Sequence, residues 1–129
     1  LVPFEHVLSR KPYEPPAEYD GGGRSNGSLA LGVIRRCCAL LGPSELDEQL
    51  AARREQLDDA TPKTLAQARA AAVELALRAS AALVVTSGSR SITEHQHGQR
   101  LGREALFLSV FGSRPAIRTA LLQRLLSGR

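Results

Sequence analysis

Few side chains in this 129-residue chain could form a catalytic or metal-binding group by their type and spacing. His95 and His97 stand two residues apart beside Glu94, and side chains of these types bind transition metals. They lie in a short polar loop between two predicted helices, and no third ligand stands at a spacing typical of metal sites. We therefore expect a solvated loop here, with a metal site as the less favoured alternative.

A glycine-rich stretch from Gly21 to Gly27 could hold an anion. Arg24 lies within it, a helix is predicted to follow, and the backbone N–H groups at a helix N-terminus favour phosphate. Phosphate-binding loops of nucleotide-binding folds follow a strand, however, and no strand is clearly predicted before Gly21. A flexible junction between domains is the more consistent interpretation.

Cys37 and Cys38 are adjacent, and they are the only two cysteines in the chain. Neighbouring cysteines rarely pair with each other, because closing the disulfide strains the peptide between them. A zinc site would need two further ligands at a suitable spacing. We expect two buried thiols and, since a disulfide framework is absent, a cytoplasmic location.

The composition predicts an all-α domain. Ala and Leu are abundant, aromatic residues make up 4 % and Trp is absent, a balance that favours helix over strand. The net charge is +4, but most of the 17 basic residues alternate with acidic ones, so we expect no nucleic-acid partner. No uninterrupted apolar run reaches the roughly 18–20 residues that cross a bilayer, so no membrane span is expected.

Breakers and apolar periodicity predict an antiparallel bundle of four to five helices over residues 24–129, after an extended segment over residues 1–23. Four of the seven prolines fall in that segment, which we interpret as a linker or as the tail of a preceding β-domain. The first helix is predicted to begin near Ser25 or Ser28 and to end at Gly42.

The second helix is predicted to begin after Ser44, with Asp47 completing an acidic variant of the capping box. Thr61 as N-cap and Pro62 as first residue predict the start of the third helix. Its apolar residues occupy nearly every side, so residues 64–86 are expected to form the most buried helix.

The fourth helix is predicted over residues 99–111, and Gly112 is expected to break it. Pro115 then opens the fifth helix. Short connections between these segments predict antiparallel neighbours.

The order of these features resembles the C-terminal helical domain of acyl-CoA dehydrogenases. The buried third helix runs into the small-residue turn 87–89, and Arg-Glu-Ala follows at 103–105, where the family has a Gly-Gly turn and an Arg-Asp/Glu-Ala step. Residues 2–8 are similar to the step that closes the family's β-domain. Residues 26–32 are similar to the small-residue start of the helix that follows. The similarity extends over nearly the whole chain, and the order of the motifs carries it.

This resemblance implies a bundle that forms subunit contacts in a homo-oligomer, a dimer or a tetramer. It also implies contact with N-terminal domains of the same polypeptide and a share in the cavity for FAD and an acyl-CoA substrate. FAD contacts are expected at the turn formed by Ser87, Gly88, Ser89 and Arg90. They would be made through the backbone, because Val84 and Ser87 replace the Gln and the first Gly of the family's turn.

The same resemblance assigns no catalytic carboxylate to this chain. Many family members carry the catalytic Glu just after the helix with the Arg-Asp/Glu-Ala step, and Gly112 stands at that point. Some relatives carry it on the first helix of the domain, and residues 24–41 contain no acidic residue. The base could come from elsewhere, the flavin chemistry could be altered, or activity could be lost. A stand-alone helical oligomerisation domain and a nucleic-acid-binding module are the alternatives.

Overall fold

Five α-helices form the part of the chain that the computed structural model describes, residues 22–93 and 95–127. They are α1 (Gly23–Leu41), α2 (Glu45–Asp58), α3 (Leu65–Ser87), α4 (His97–Val110) and α5 (Pro115–Ser127), with a 3-10 helix over Gly88–Ile92. These residues contain no strand, so the predicted all-α bundle is confirmed for them. The predicted extended segment, apart from its last two residues, lies outside the described residues.

α3 is the centre of the bundle and contacts each of the other four helices. Leu75 and Leu83 are buried, as are most of the alanines along this helix. Small side chains let the neighbouring helices approach closely, which is why one helix can be covered on several sides. The prediction that this segment is the most buried helix is confirmed.

Two glycines on one face of α1 allow it to lie close to α2 and α3. A Cβ atom on Gly23 would lie 3.0 Å from the side chain of Leu65, at the start of α3. One on Gly27 would lie 2.8 Å from the side chain of Leu57, at the end of α2. The N-terminal turn of α1 is therefore held between the start of α3 and the end of α2.

α3 and α4 run in opposite directions. Arg69, near the start of α3, donates to the carbonyl of Phe111, just after α4. At the other end, a Cβ on Gly98 would lie 3.3 Å from the side chain of Val84. The residues that follow α3 and those that follow α4 consequently lie at opposite ends of the bundle.

The starts of α1 and α3 differ from the sequence-based predictions. α1 begins at Gly23, before either predicted serine cap, and the Ser28 hydroxyl donates to the Arg24 carbonyl instead. α3 begins at Leu65, because the Thr64 hydroxyl accepts a hydrogen bond from the Thr61 N–H and holds residues 61–64 in a turn.

The other predicted boundaries hold to within two residues. Ser44 and Asp47 form the predicted capping box at the start of α2, which is confirmed. Gly88 and Gly112 have positive φ angles of 66° and 58° and stand after α3 and α4. α5 begins at Pro115 as predicted.

By length and composition alone, residues 65–92 could cross a membrane, with a mean hydropathy of 1.5 in the most apolar window. No membrane span was expected from the sequence, because each apolar run was taken to end at the first charged residue. In the bundle 56 % of that window is buried, and the core helix of a bundle meets the same criterion. The segment is therefore weak evidence for a membrane span.

Candidate functional site

The turn after α3 presents accessible backbone. Ser87, Gly88, Ser89 and Arg90 are all exposed, and nothing lies within 4 Å of the position of a Cβ on Gly88. Ser91 is buried below them, and its hydroxyl donates to the Gly88 carbonyl at 2.7 Å. The four residues predicted to contact FAD thus form an open turn held from beneath by Ser91.

The turn after α4 lies against the first turn of α1. A Cβ on Gly112 would lie 2.5 Å from Nδ2 of Asn26, whose carboxamide therefore fills the space beside the glycine. The family resemblance places the catalytic carboxylate either at Gly112 or on the first helix. The structure brings a residue from each of these two segments into contact.

Arg69 lies beneath the same turn and is fully buried, with 0 % of its surface exposed. Its Nη2 donates to the carbonyls of Phe111 at 2.6 Å and of Leu108 at 3.5 Å, at the C-terminal end of α4. Its Nε and Nη1 have no hydrogen-bond partner. Burial lowers the pKa of Arg69, and no neighbouring carboxylate offsets that effect.

The two turns do not form one site within a single chain. Arg69 and Gly88 are 19 residues apart on and just after α3. At the rise of an α-helix this separation is roughly 28 Å. The open turn at Ser87–Arg90 and the turn at Gly112 therefore face different surroundings.

Arg24 does not project into an anion cradle. Its guanidinium donates to the carbonyls of Leu57 at 2.5 Å, Asp58 at 2.8 Å and Ala60 at 2.7 Å. Cations stabilise the C-terminal end of a helix by pairing with its free carbonyls, and Arg24 does this for α2. The alternative of a phosphate site built on Arg24 was wrong, because the side chain caps α2.

Glu74 is the one buried carboxylate among the described residues, and it is paired. Arg78 lies 3.3 Å from one oxygen, the predicted i,i+4 pair, and Arg124 of α5 lies 3.4 Å from the other. Glu74 is 8 % exposed. Each oxygen faces a guanidinium, so Glu74 ties α5 to α3.

His95 and His97 are both exposed, and His95 has a positive φ of 67°. Glu94 lies outside the described residues. No three His, Cys, Asp or Glu side chains of the described chain converge as metal ligands. The geometry thus supplies no support for the metal alternative.

Cys37 and Cys38 are buried, free thiols on α1. Burial, and then the proximity of Cys38 and Glu104, raises the pKa of Cys37 to about 11. A thiol is a nucleophile only as its thiolate, so Cys37 is unreactive near neutral pH. The prediction of two buried structural cysteines is confirmed.

The outer surface of α4 is unusually apolar. Phe107 and Phe111 stack with ring centroids 4.8 Å apart, and both are exposed. Leu106 and Val110 are 61 % and 70 % exposed on the same helix. We call these four residues the α4 apolar face. Exposed apolar surface of this kind commonly marks an interaction site.

Neither Arg69 nor Asn26 was predicted as an individual site residue from the sequence. The sequence did indicate that Arg69 has no ion-pair partner on its own helix. No acidic residue stands three or four positions before or after it. Asn26 had no such signal, since only the approach of α1 to the turn after α4 gives it a role.

No protein-family model, no curated protein and no solved structure matches this chain.

Proposed function

We propose that this chain is the C-terminal helical domain of an acyl-CoA dehydrogenase-like flavoprotein. In this role the antiparallel bundle makes subunit contacts in a dimer or tetramer. It also packs against N-terminal domains of its own polypeptide and forms one part of the cavity for FAD and acyl-CoA. The protein would act in the cytoplasm, without a membrane span and without a nucleic-acid partner.

The contact between Asn26 and Gly112 is the observation that carries this proposal. The resembled family places its catalytic Glu either after the helix equivalent to α4 or on the helix equivalent to α1. Two such positions can serve one substrate proton only if they lie side by side. In this chain Asn26 of α1 and Gly112 after α4 are in contact. This contact supports the proposal, because it places a residue from each of the two segments side by side.

The separation of the two turns can be reconciled with the proposal if they serve the sites of two different subunits. In the resembled family, this domain packs near FAD partly across the subunit boundary. The turn at Ser87–Arg90 would then contact the FAD of a neighbouring subunit, while the turn at Gly112 faces the acyl cavity of its own. The α4 apolar face supports an assembly of several subunits, because exposed apolar surface of this kind commonly packs against another subunit or domain.

The chain would supply a wall of the cavity and no base. Dehydrogenation beside a thioester carbonyl needs a base within hydrogen-bond reach of the α-proton, while the flavin accepts the hydride on the other side. Neither Asn26 nor Gly112 can accept that proton. The parent protein therefore takes its base from another domain, uses altered flavin chemistry, or has lost dehydrogenase activity.

A pair of substitutions tests this assignment in the complete polypeptide. Gly112→Glu, combined with Asn26→Ala to make room, should raise acyl-CoA oxidation above the wild-type level in an assay with an artificial electron acceptor. Gly112→Gln in the same Asn26→Ala background has the same size and backbone strain but no carboxylate, so it should stay at the wild-type level. Equal activity of the Glu and Gln variants would refute the placement of Gly112.

Backbone contact with FAD gives a second readout. Ser87→Ala and Ser89→Ala should leave FAD affinity nearly unchanged, since their side chains are not expected to contact the cofactor. Gly88→Val should weaken FAD binding, because it adds bulk to the open backbone turn and strains a positive φ. Equal losses in all three variants would point to side-chain contacts instead.

A stand-alone oligomerisation or interaction domain is the second candidate function. The α4 apolar face favours it, because a face of that kind can bind a partner without any flavin. Tight self-association of the chain, in a parent polypeptide that binds no FAD, would select this alternative.

A further inference from the structure

We infer that the α4 apolar face of one copy of this chain packs against α2 of a second copy, in a head-to-tail contact. The proposed function assigns subunit contacts to the bundle, and this inference adds which two surfaces meet. It rests on the exposed residues of two helices and not on the flavin. Association of the chain and its cofactor content can therefore be tested separately.

The outer side of α2 carries an acidic stripe. Its members stand four, three and four positions apart and therefore follow one side of the helix, and all are exposed: Glu48, Ala52, Glu55 and Asp59. We call these four residues the α2 acidic stripe. Leu57 and the other leucines of α2 pack towards the core on the opposite side. None of the three carboxylates of the stripe has an ion-pair partner among the described residues, so all three can meet a basic surface.

The α4 apolar face lies in a stripe with the same spacing and the opposite charge. Phe107 and Val110 form its centre, three positions apart. Arg103 stands four positions before Phe107, and Arg114 stands four positions after Val110. Both arginines are exposed, and neither has an ion-pair partner within the part of the chain that the structure describes. An apolar centre with a cation at each end complements a stripe with a carboxylate at each end.

The ends of the two stripes match when the helices lie side by side. In an antiparallel arrangement Arg103 faces Asp59, and Arg114 then faces Glu48. A parallel arrangement exchanges these partners. Between the charged ends, the small side chain of Ala52 leaves room for the aromatic rings of the α4 apolar face. Exposed ion pairs contribute little each, so most of the affinity comes from covering these rings.

The charges around the two stripes follow the same division. Residues 45–59 carry six acidic and two basic side chains, whereas residues 97–127 carry five arginines and one glutamate. That glutamate, Glu104, is paired with Arg100. Opposite charges of this kind draw α2 of one copy towards α4 of another and disfavour pairing of like surfaces.

The two stripes of a single chain do not meet. Within the described bundle α2 contacts α1 and α3, and it contacts neither α4 nor α5. A second copy therefore has to supply the partner surface. Since each copy carries one stripe of each kind, the contact joins two different surfaces and repeats from copy to copy. Such contacts lead to a closed ring or to a growing chain of copies.

Direct pairing of two α4 apolar faces is less favourable. In a symmetric antiparallel pair centred on Phe107 and Val110, Arg103 of each copy would face Arg114 of the other. Like charges that face each other in an interface cost free energy. The two arrangements therefore respond to salt in opposite ways, because screening weakens the contact of α2 with α4 and strengthens a contact between two α4 helices.

Two variants that each remove one surface test the inference by sedimentation velocity. Replacing Leu106, Phe107 and Val110 together by Gln removes the α4 surface, and Ala52→Arg with Glu55→Arg removes the α2 surface. We expect each variant alone to associate about tenfold or more weakly than the wild type. Mixed together, the two variants should form a heterodimer that grows no further, because each retains the surface that the other lacks.

Ala39→Arg is the control, since Ala39 is an exposed alanine of α1 outside both stripes, and this variant should associate like the wild type. All the substituted side chains are exposed, and circular dichroism checks that each variant remains helical. A variant without the α2 surface that associates like the wild type would overturn the inference. A mixture that forms no heterodimer, or a wild type that stays monomeric, would overturn it as well.

The salt dependence of the wild type gives a test that needs no variant. Raising NaCl from about 0.1 M to about 1 M shortens the Debye length from about 10 Å to about 3 Å. We expect the dissociation constant of the assembly to rise by roughly three- to tenfold, because two exposed ion pairs are weakened. A dissociation constant that stays the same or falls would contradict the inference, and a fall would point to paired α4 faces.

Discussion

The carboxamide of Asn26, in the first turn of α1, lies against Gly112, two residues beyond the end of α4. The contact joins residues 86 positions apart in the sequence and places both above the buried guanidinium of Arg69. It links the fold to the proposed function, because it joins the two segments, α1 and the turn after α4, on which the resembled family carries its base.

Gly112→Ala should destabilise the fold by about 1–2 kcal/mol, because Gly112 has a φ of 58° that residues with a side chain rarely adopt. The contact with Asn26 should add little to the loss of stability, because its flexible carboxamide can move away from the new Cβ. Chemical denaturation measures the change. Gly102→Ala is the control: it lies within α4 with nothing near its Cβ position, so it should stabilise by about 0.5–1 kcal/mol. A neutral Gly112→Ala would contradict the strained turn.

Gly27→Ala should destabilise the bundle by about 1–3 kcal/mol through overpacking. Its Cβ would lie 2.8 Å from the side chain of Leu57, which is fully buried and cannot move freely. Gly32→Ala, on the same helix, meets nothing within 4 Å and should stabilise by about 0.5–1 kcal/mol. The two variants are compared by urea unfolding. A Gly27→Ala variant as stable as wild type, or more stable, would contradict the close packing of α1 on α2.

Stability should fall as the pH rises from about 9 to about 11, in part because of Cys37. Its folded pKa is raised from 9.0 to about 11, so in this window the unfolded state has lost the thiol proton and the folded state retains it. Deprotonation therefore favours unfolding, by up to about 1.4 kcal/mol per pH unit. Cys37→Ala should show a shallower decline over the same pH range in urea unfolding. Identical slopes for the two proteins would contradict the raised pKa.

The α4 apolar face should make the chain self-associate. Replacing Leu106, Phe107 and Val110 together by Gln should shift the chain towards monomer in sedimentation velocity, since it removes exposed apolar area without disturbing buried residues. Leu29→Gln removes an exposed leucine from α1 and should leave association unchanged. A wild-type chain that stays monomeric at high concentration would contradict this role of the face.

Local signals in the sequence were enough to predict much of the fold. Gly88, Gly112 and Pro115 act through their own backbone preferences, so their positions could be read directly. The Ser44 capping box is also local, since it involves residues three apart. The burial of α3 followed from apolar residues on nearly every side.

Features that depend on distant residues could not be predicted in the same way. α1 begins at Gly23, which lies close to the side chain of Leu65, and no local cap reveals that contact. Arg24 was considered for anion binding, but it caps a helix that ends more than thirty residues later. The contact of Asn26 with Gly112 likewise exists only once α1 and α4 are assembled.

The flavin content of the complete polypeptide that contains this chain tests the central claim most directly. The polypeptide is purified, and the released cofactor is identified by its absorption spectrum and by mass. We predict stoichiometric FAD that is lost or weakened in Gly88→Val and retained in Ser87→Ala. A folded, complete polypeptide that neither contains FAD nor takes it up when FAD is added in excess would contradict the proposed function.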